Sequence, residues 1–280
     1  MNNPTVIPLW TKGSPNNNGG DIAMPNGEPS LVFFKPSVHG TMKKARPCIL
    51  ICSGGCYSFR AEHEGPPFAH FFGLHGIFSG VIHYRVSPNR HPAPFADAAR
   101  AVRYVRANAE KLGVDPDRIG LMGFSAGGHL AATVGIQPNL WLDPGDDLAN
   151  TVSARPDRII LGYPVVSAIR DYHSSSFVNL LGEEKSVDDT VRRQFSHELH
   201  VTKDSPPAFI FHTANDSSVP VQNSLRLAEA YAAAGVSCEL HVFKDGPHGV
   251  GFAPGIPTLK IWTELMSSWM RDWIRQPFGD

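Results

Sequence analysis

Seven short runs rich in aliphatic and β-branched residues punctuate this chain: Leu31 to Lys35, Cys48 to Cys52, Gly80 to Tyr84, Arg118 to Met122, Arg158 to Tyr163, Ala208 to Thr213 and Ser237 to Lys244. Each has the length of a strand, and helical patterns fall between them. After Pro94, the residues Phe95, Ala98, Val102, Val105, Ala109 and Leu112 recur at steps of three and four until Gly113 supplies a stop. Trp262, Leu265, Met266, Trp269 and Trp273 form a second apolar stripe, and Pro220 and Gly235 bracket a third helix. Strands alternating with helices predict βαβ crossovers, hence an α/β fold with a mostly parallel, twisted sheet flanked by helices.

Other stretches carry no such period. Residues 11 to 30 are rich in Gly, Pro and Asn, so residues 1–30 read as an irregular lead-in and 31–280 as a single α/β domain. Gln137 to Asp157, with one conspicuous aromatic at Trp141, predicts a cap or rim loop, and residues 164 to 207 a further irregular, polar insertion. A composition of 42% hydrophobic and 18% charged residues is enough to bury one substantial core.

Charge removes whole classes of partner. A formal net charge of -1 provides no global field to attract nucleic acid or an anionic membrane, so neither is expected as a partner. The opening Met1 to Trp10 lacks a basic region followed by an apolar stretch, and no later run is apolar enough to span a bilayer. The chain as given predicts a soluble, cytoplasmic protein without a signal peptide. Cys48, Cys52 and Cys56 are spaced by four, which matches no common zinc pattern, and the thirteen histidines include no HExxH. Cys48, Cys52 and Cys238 read as small core residues, and neither a metal nor a cofactor is expected.

The sharpest motif is Gly123-Phe124-Ser125-Ala126-Gly127, a GxSxG that leaves a buried run at Arg118 to Met122 and enters the helical His129-Leu130-Ala131-Ala132. A nucleophile on a tight strand-to-helix turn leaves no room for β-carbons beside it, which explains the glycines. A serine hydroxyl needs a base, and the base needs an orienting acid. His248, in Asp245-Gly246-Pro247-His248-Gly249, follows the last strand, and Asp216 follows the strand Ala208 to Thr213. The order Ser125, Asp216, His248, each after a strand, lets three loops converge on one sheet edge. The bland reading of each residue alone is a chance GxSxG, a helix-entry Asp beside Pro220, and a loop His. Asp245 shares a short loop with His248, Asn215 carries no charge, and His241 alternates with apolar neighbours. His129 reads as a pocket-wall or packing residue.

Attack on an acyl carbonyl places negative charge on its oxygen, so N–H donors are needed there. The Ala126 N–H is one, and the loop Ser53-Gly54-Gly55-Cys56-Tyr57 offers those of Gly55 and Cys56, unless it is a plain tight turn.

Together these residues resemble the acetyl esterases and acetylxylan esterases of the α/β-hydrolase superfamily, related to the hormone-sensitive-lipase-like esterases. The resemblance runs through Ile7-Pro8-Leu9-Trp10, the Gly-Gly loop with Tyr57, His63-Glu64-Gly65, Tyr84-Arg85, His91-Pro92-Ala93-Pro94 with Asp97, Gly123 to Leu130, Leu161-Gly162-Tyr163-Pro164, Phe211-His212-Thr213-Ala214 with Asp216, and Gly246-Pro247-His248-Gly249. It implies the α/β-hydrolase fold, the triad Ser125, Asp216 and His248, and a small-molecule or oligosaccharide ester as substrate, with short acyl esters of sugars as its class. The family loop usually has a third Gly where this chain has Cys56, whose side chain would narrow the acyl pocket and strain the backbone if φ there is positive.

Rival functions are a general carboxylesterase without sugar preference, a peptidase or amidase using the same triad, and a catalytically silent hydrolase fold acting as a receptor. Tyr57, Trp141 and Phe252 read either as a platform for a sugar ring or as packing. His63 and Glu64 read either as a brace behind the oxyanion loop or as a surface ion pair.

Overall fold

A computed structural model describes residues 3–11, 13–14, 28–36, 44–139, 146–148 and 151–274. Eight strands, β1 (Thr5–Pro8), β2 (Ser30–Phe34), β3 (Arg46–Cys52), β4 (Phe78–His83), β5 (Val114–Phe124), β6 (Arg158–Gly162), β7 (Ala208–Thr213) and β8 (Cys238–Phe243), form one sheet. Their order is β1-β2-β4-β3-β5-β6-β7-β8. The first two neighbour pairs, β1 with β2 and β2 with β4, are antiparallel, and the others are parallel. Among the described residues no helix is long and apolar enough to cross a membrane.

Both faces of the sheet are covered, which is why its central strands are continuous apolar runs rather than alternating ones. Leu50 and Cys52 on β3 point into one core with Leu121 of β5, beneath helices α2 (Ala93–Ala107) and α4 (Ser125–Ile136). Between α2 and β5 the short helix α3 (Ala109–Leu112) ends at Gly113, whose φ of 78° makes the left-handed cap that stops it. Ile49 and Ile51 point the other way with Met122 and Phe124, against Phe68 and Phe72 of helix α1 (Pro66–Leu74) and Trp262 of a C-terminal helix. The period-two alternation therefore sorts each strand between two cores.

Three expectations need correction. The lead-in is not wholly irregular: β1 is one of the sheet's two edge strands, and Leu9 and Trp10 behind it are buried in the core. The indole N–H of Trp10 donates to Asp97 at 2.7 Å, and Arg85 forms two side-chain hydrogen bonds to the same carboxylate at 2.8 Å. Residues 15–27 lie outside the described residues. The insertion at 164–207 is not wholly irregular: it carries three short helices, α5 (Ser174–Leu181), α6 (Glu183–Ser186) and α7 (Asp189–Gln194). Cys48 and Cys52 are buried, whereas Cys238 is only half-buried on the edge strand β8. The chain closes with α8 (Gln222–Ala233), α9 (Pro257–Lys260), α10 (Trp262–Trp269) and α11 (Arg271–Ile274).

Strand β3 hands the chain through α1 to β4 on one side of it, while β5 hands it through α4 to β6 on the other. A crevice opens at the carboxyl ends of adjacent strands whose connections diverge. Both the Gly-Gly loop after β3 and the GxSxG turn after β5 emerge there.

Candidate active site

Ser125 sits at the turn from β5 into α4 with a φ of 51°. That left-handed conformation costs an L-residue roughly 1–2 kcal/mol and is held by the packing around it. A β-carbon on Gly123 would lie 2.1 Å from the Gly127 carbonyl oxygen, and one on Gly127 would lie 2.2 Å from the carbonyl oxygen of Cys52. The glycines thus let the turn close on itself and let α4 touch the end of β3.

Around Ser125 the side chains from three loops meet. Its Oγ is 2.8 Å from His248 Nε2, and His248 Nδ1 is 2.6 Å from Asp216 Oδ2. Burial raises the Asp216 carboxyl, but donors from His212, His248 and the backbone outweigh it and hold the group well below the usual carboxylate range. An ionised carboxylate only accepts, so Nδ1 of His248 carries the proton, and Nε2 presents a lone pair to the Ser125 hydroxyl. Asp216 Oδ1 also accepts the N–H groups of Ser218 and Val219, each at 2.9 Å, which fixes the carboxylate plane.

His212, at the end of β7, is a further part of this site that the sequence reading did not single out. Its Nε2 donates to the Val219 carbonyl at 2.8 Å and lies 3.3 Å from Asp216 Oδ2, while Nδ1 accepts from Ser224 at 2.8 Å. The available signal was a histidine in an otherwise apolar strand, immediately ahead of the acid loop.

The Gly-Gly loop lies directly over the turn. A β-carbon on Gly54 would stand 2.9 Å from the Phe124 carbonyl and 3.0 Å from Ser125 Cβ. Gly55 has a φ of 126°, and its carbonyl accepts from Ser58 and Phe59, so the loop is tight as well as close to Ser125. Cys56 has a φ of 54° and Tyr57 one of 57°, so both carry a side chain on left-handed backbone. Ala126 lies in the first turn of α4, where N–H groups have no partner within the helix.

Glu64 resolves the open alternative in favour of a brace. It is buried, its Oε2 accepts the Gly54 N–H at 2.7 Å, and its Oε1 accepts the Tyr163 hydroxyl at 2.6 Å. Tyr163 in turn accepts the Gly251 N–H at 3.0 Å and sets its ring edge-on to His248 at 5.0 Å. One carboxylate therefore ties the Gly-Gly loop to the histidine loop. His63 is exposed and donates to the Gly249 carbonyl at 2.9 Å.

Of the three aromatics read either as a platform or as packing, the two described, Tyr57 and Phe252, are packed. Tyr57 is buried and donates its hydroxyl to His129 Nδ1 at 2.8 Å, because His129 Nε2 is committed as a donor to the Phe195 carbonyl at 3.0 Å. His129 is itself fully buried, so both residues pack: Tyr57 fastens the Gly-Gly loop to α4, and His129 fastens α4 to the insertion at Phe195. Phe252 stacks on Phe68 with ring centroids 3.8 Å apart and belongs to the second core. Trp141 lies outside the described residues.

Comparison with known proteins places this geometry in a lineage. A xylanase, endo-1,4-beta-xylanase B of Butyrivibrio fibrisolvens, is 35% identical over 74% of the chain and 33% of its own length. An acetylxylan esterase of Xylanibacter ruminicola is 30% identical over 81% of the chain and 45% of its own length. The chain thus spans between a third and a half of these relatives. The crystal structure of an acetyl ester-xyloside bifunctional hydrolase from Caldicellulosiruptor lactoaceticus superposes with a TM-score of 0.81 at 40% identity, covering 96% of both chains. The BD-FAE family model matches residues 37–231, which takes in the Gly-Gly loop, the GxSxG turn and Asp216. With that match over most of its length and the eight-stranded sheet beneath it, the chain belongs to the BD-FAE family and has the α/β-hydrolase fold.

Proposed function

We propose that this protein is a serine carboxylic ester hydrolase that removes short acyl groups, acetyl above all, from xylan-derived or related sugars. The observation that carries the reading is the continuous relay from Ser125 Oγ through His248 to Asp216, at 2.8 and 2.6 Å. His248 Nε2 takes the hydroxyl proton as Ser125 attacks the ester carbonyl, and Asp216 stabilises the imidazolium that forms. The N–H groups of Gly55, Cys56 and Ala126 receive the oxyanion, each donor being worth roughly 3 kcal/mol of barrier. His248 then hands its proton to the departing sugar oxygen. Water, activated by the same imidazole, releases the acid and restores Ser125.

The sugar ester as substrate is supported by the relatives whose names carry acetylxylan and acetyl ester-xyloside chemistry. A general carboxylesterase would share the relay and differ only in the alcohol. Two assays separate them. A p-nitrophenyl ester series is expected to favour acetate over decanoate, and acetylated xylo-oligosaccharides are expected to lose acetate. Faster turnover of decanoate, or intact acetylated oligosaccharides beside rapid p-nitrophenyl acetate hydrolysis, contradicts the sugar-acetyl reading.

A further inference from the structure

An open cavity of about 630 Å³ lies between the start of α5 and the loop after β7, lined by Tyr172, His173, Ser174, Ser175, Val178, Asn179 and Ser218. Its volume falls within the roughly 300–1,000 Å³ of small-molecule sites. Both of its walls are tied to the relay described above. Asn179 donates its amide to the Cys56 carbonyl at 2.9 Å, which couples one wall to the Gly-Gly loop. The Ser218 N–H donates to Asp216 Oδ1 at 2.9 Å, which couples the other to the acid loop. Burial first, and then neighbouring His248, push the His173 imidazole below its ordinary value, so His173 stands within electrostatic reach of the relay's base.

The lining has a specific chemistry. Three serine hydroxyls, one amide and one imidazole offer donors and acceptors in several directions, and no lining residue is a lysine, arginine, aspartate or glutamate. An acetyl group, with one carbonyl acceptor and no donor, uses few of those hydrogen bonds, and an anionic ligand would find no lysine or arginine in the lining. A neutral polyhydroxylated alcohol fits both facts. Tyr172 adds an aromatic ring, 40% exposed and held from one side by the Arg192 guanidinium, 4.1 Å from its centroid. Such a ring suits the apolar face of a pyranose.

The rim is also fixed in place before any ligand arrives. Asp171, just before Tyr172, has a φ of 47°, its carbonyl accepts from the buried Asn223 at 2.9 Å, and its carboxylate pairs with Arg226. Asn223 Oδ1 accepts the N–H groups of Val166 and Ser167, each at 3.0 Å, so one side chain pins both ends of this segment. Preorganisation of this kind lowers the cost of ordering a binding site.

The geometry points to this cavity as the subsite for the alcohol part of the ester, taking a neutral pyranose of a short oligosaccharide with its ring against Tyr172. This inference rests on the esterase reading above and adds the place where the sugar sits.

Calorimetry with xylotriose on the Ser125→Ala protein tests it without turnover. Binding is expected, weakened about tenfold or more by adding Tyr172→Ala, and weakened likewise by Ser174→Phe, which narrows the cavity. In the Ser125-containing proteins, Tyr172→Ala is expected to lower kcat/KM on acetylated xylobiose about tenfold more than on p-nitrophenyl acetate, chiefly through KM. Wild type that hydrolyses p-nitrophenyl acetate but binds no xylotriose overturns the subsite and leaves the esterase reading standing. Binding that neither substitution weakens also overturns it. Wild type inert on p-nitrophenyl acetate sinks the esterase reading and the subsite with it.

Discussion

Tyr163 donates its hydroxyl to the buried carboxylate of Glu64 at 2.6 Å, and through that bond the loop bearing His248 is joined to the loop bearing Gly54. Both Glu64 oxygens accept, one from a hydroxyl and one from an amide. Glutamine has a single acceptor oxygen, so Glu64→Gln leaves either the Gly54 N–H or the Tyr163 hydroxyl proton without its acceptor. A buried polar group left unpaired costs about 1–3 kcal/mol, which converts to a loss of about 5- to 150-fold in rate if it falls on the transition state. Steady-state kinetics on p-nitrophenyl acetate should show the fall in kcat with little change in KM, in a variant that remains folded with a somewhat lower melting temperature. A folded variant with kcat within about twofold of wild type would remove Glu64 from the account.

Asp97 governs stability rather than chemistry. It is fully buried and receives Arg85, the Arg85 backbone N–H and Trp10. Burial raises its carboxyl, and the Arg85 contacts offset that only in part. Asp97→Ala leaves the Arg85 guanidinium buried without its carboxylate, a change that costs about 3–5 kcal/mol. Urea unfolding is the measurement, and a midpoint equal to wild type would mean that Arg85 finds another partner.

Acid should weaken the fold before it touches Asp216. Burial holds His129 down to about 4, and burial followed by the nearby His129 and His200 holds His197 well below its ordinary value. Above about pH 6.5 these rings are neutral in both folded and unfolded chains, and stability is complete. Below that, the unfolded chain takes up protons that the folded chain refuses, so stability falls by about 1.4 kcal/mol per pH unit for each histidine, down to the folded value. Asp216, whose folded value is depressed, contributes stability above the ordinary aspartate range and loses it only further into acid. Urea unfolding at pH 7.5, 6 and 5 should trace the decline, and His129→Gln should flatten it by about one histidine's share. Stability that stays level from pH 7.5 to 5 would show that the buried rings do not control it.

The parts of this molecule that were legible from sequence are those where one physical demand leaves few residue choices. Gly123 and Gly127 have carbonyl oxygens where β-carbons would stand, so the turn around Ser125 is written in its glycines. The central strands read correctly because burial on both faces demands continuous apolar runs. Strand β1 was missed because it is a four-residue edge strand, exposed along most of its length and ending in Pro8, with no alternation to detect. Helices α6 and α7 have four and six residues, too few to display a period. For Tyr57 and His129 the sequence left packing and a pocket role open, for a different reason. A tyrosine beside a Gly-Gly loop and a histidine on the adjoining helix look solvent-facing, and only the helices of the insertion, folded over them, make them a buried pair.

The central claim is that Ser125 forms the acyl-enzyme. The most direct measurement pairs Ser125→Ala with intact-protein and peptide mass spectrometry after reaction with a fluorophosphonate probe. The expected result is one adduct on the peptide containing Ser125, no adduct on Ser125→Ala, and a fall in p-nitrophenyl acetate kcat of about 10⁴-fold or more. An adduct on another residue, or a folded Ser125→Ala protein hydrolysing the ester near the wild-type rate, would contradict it.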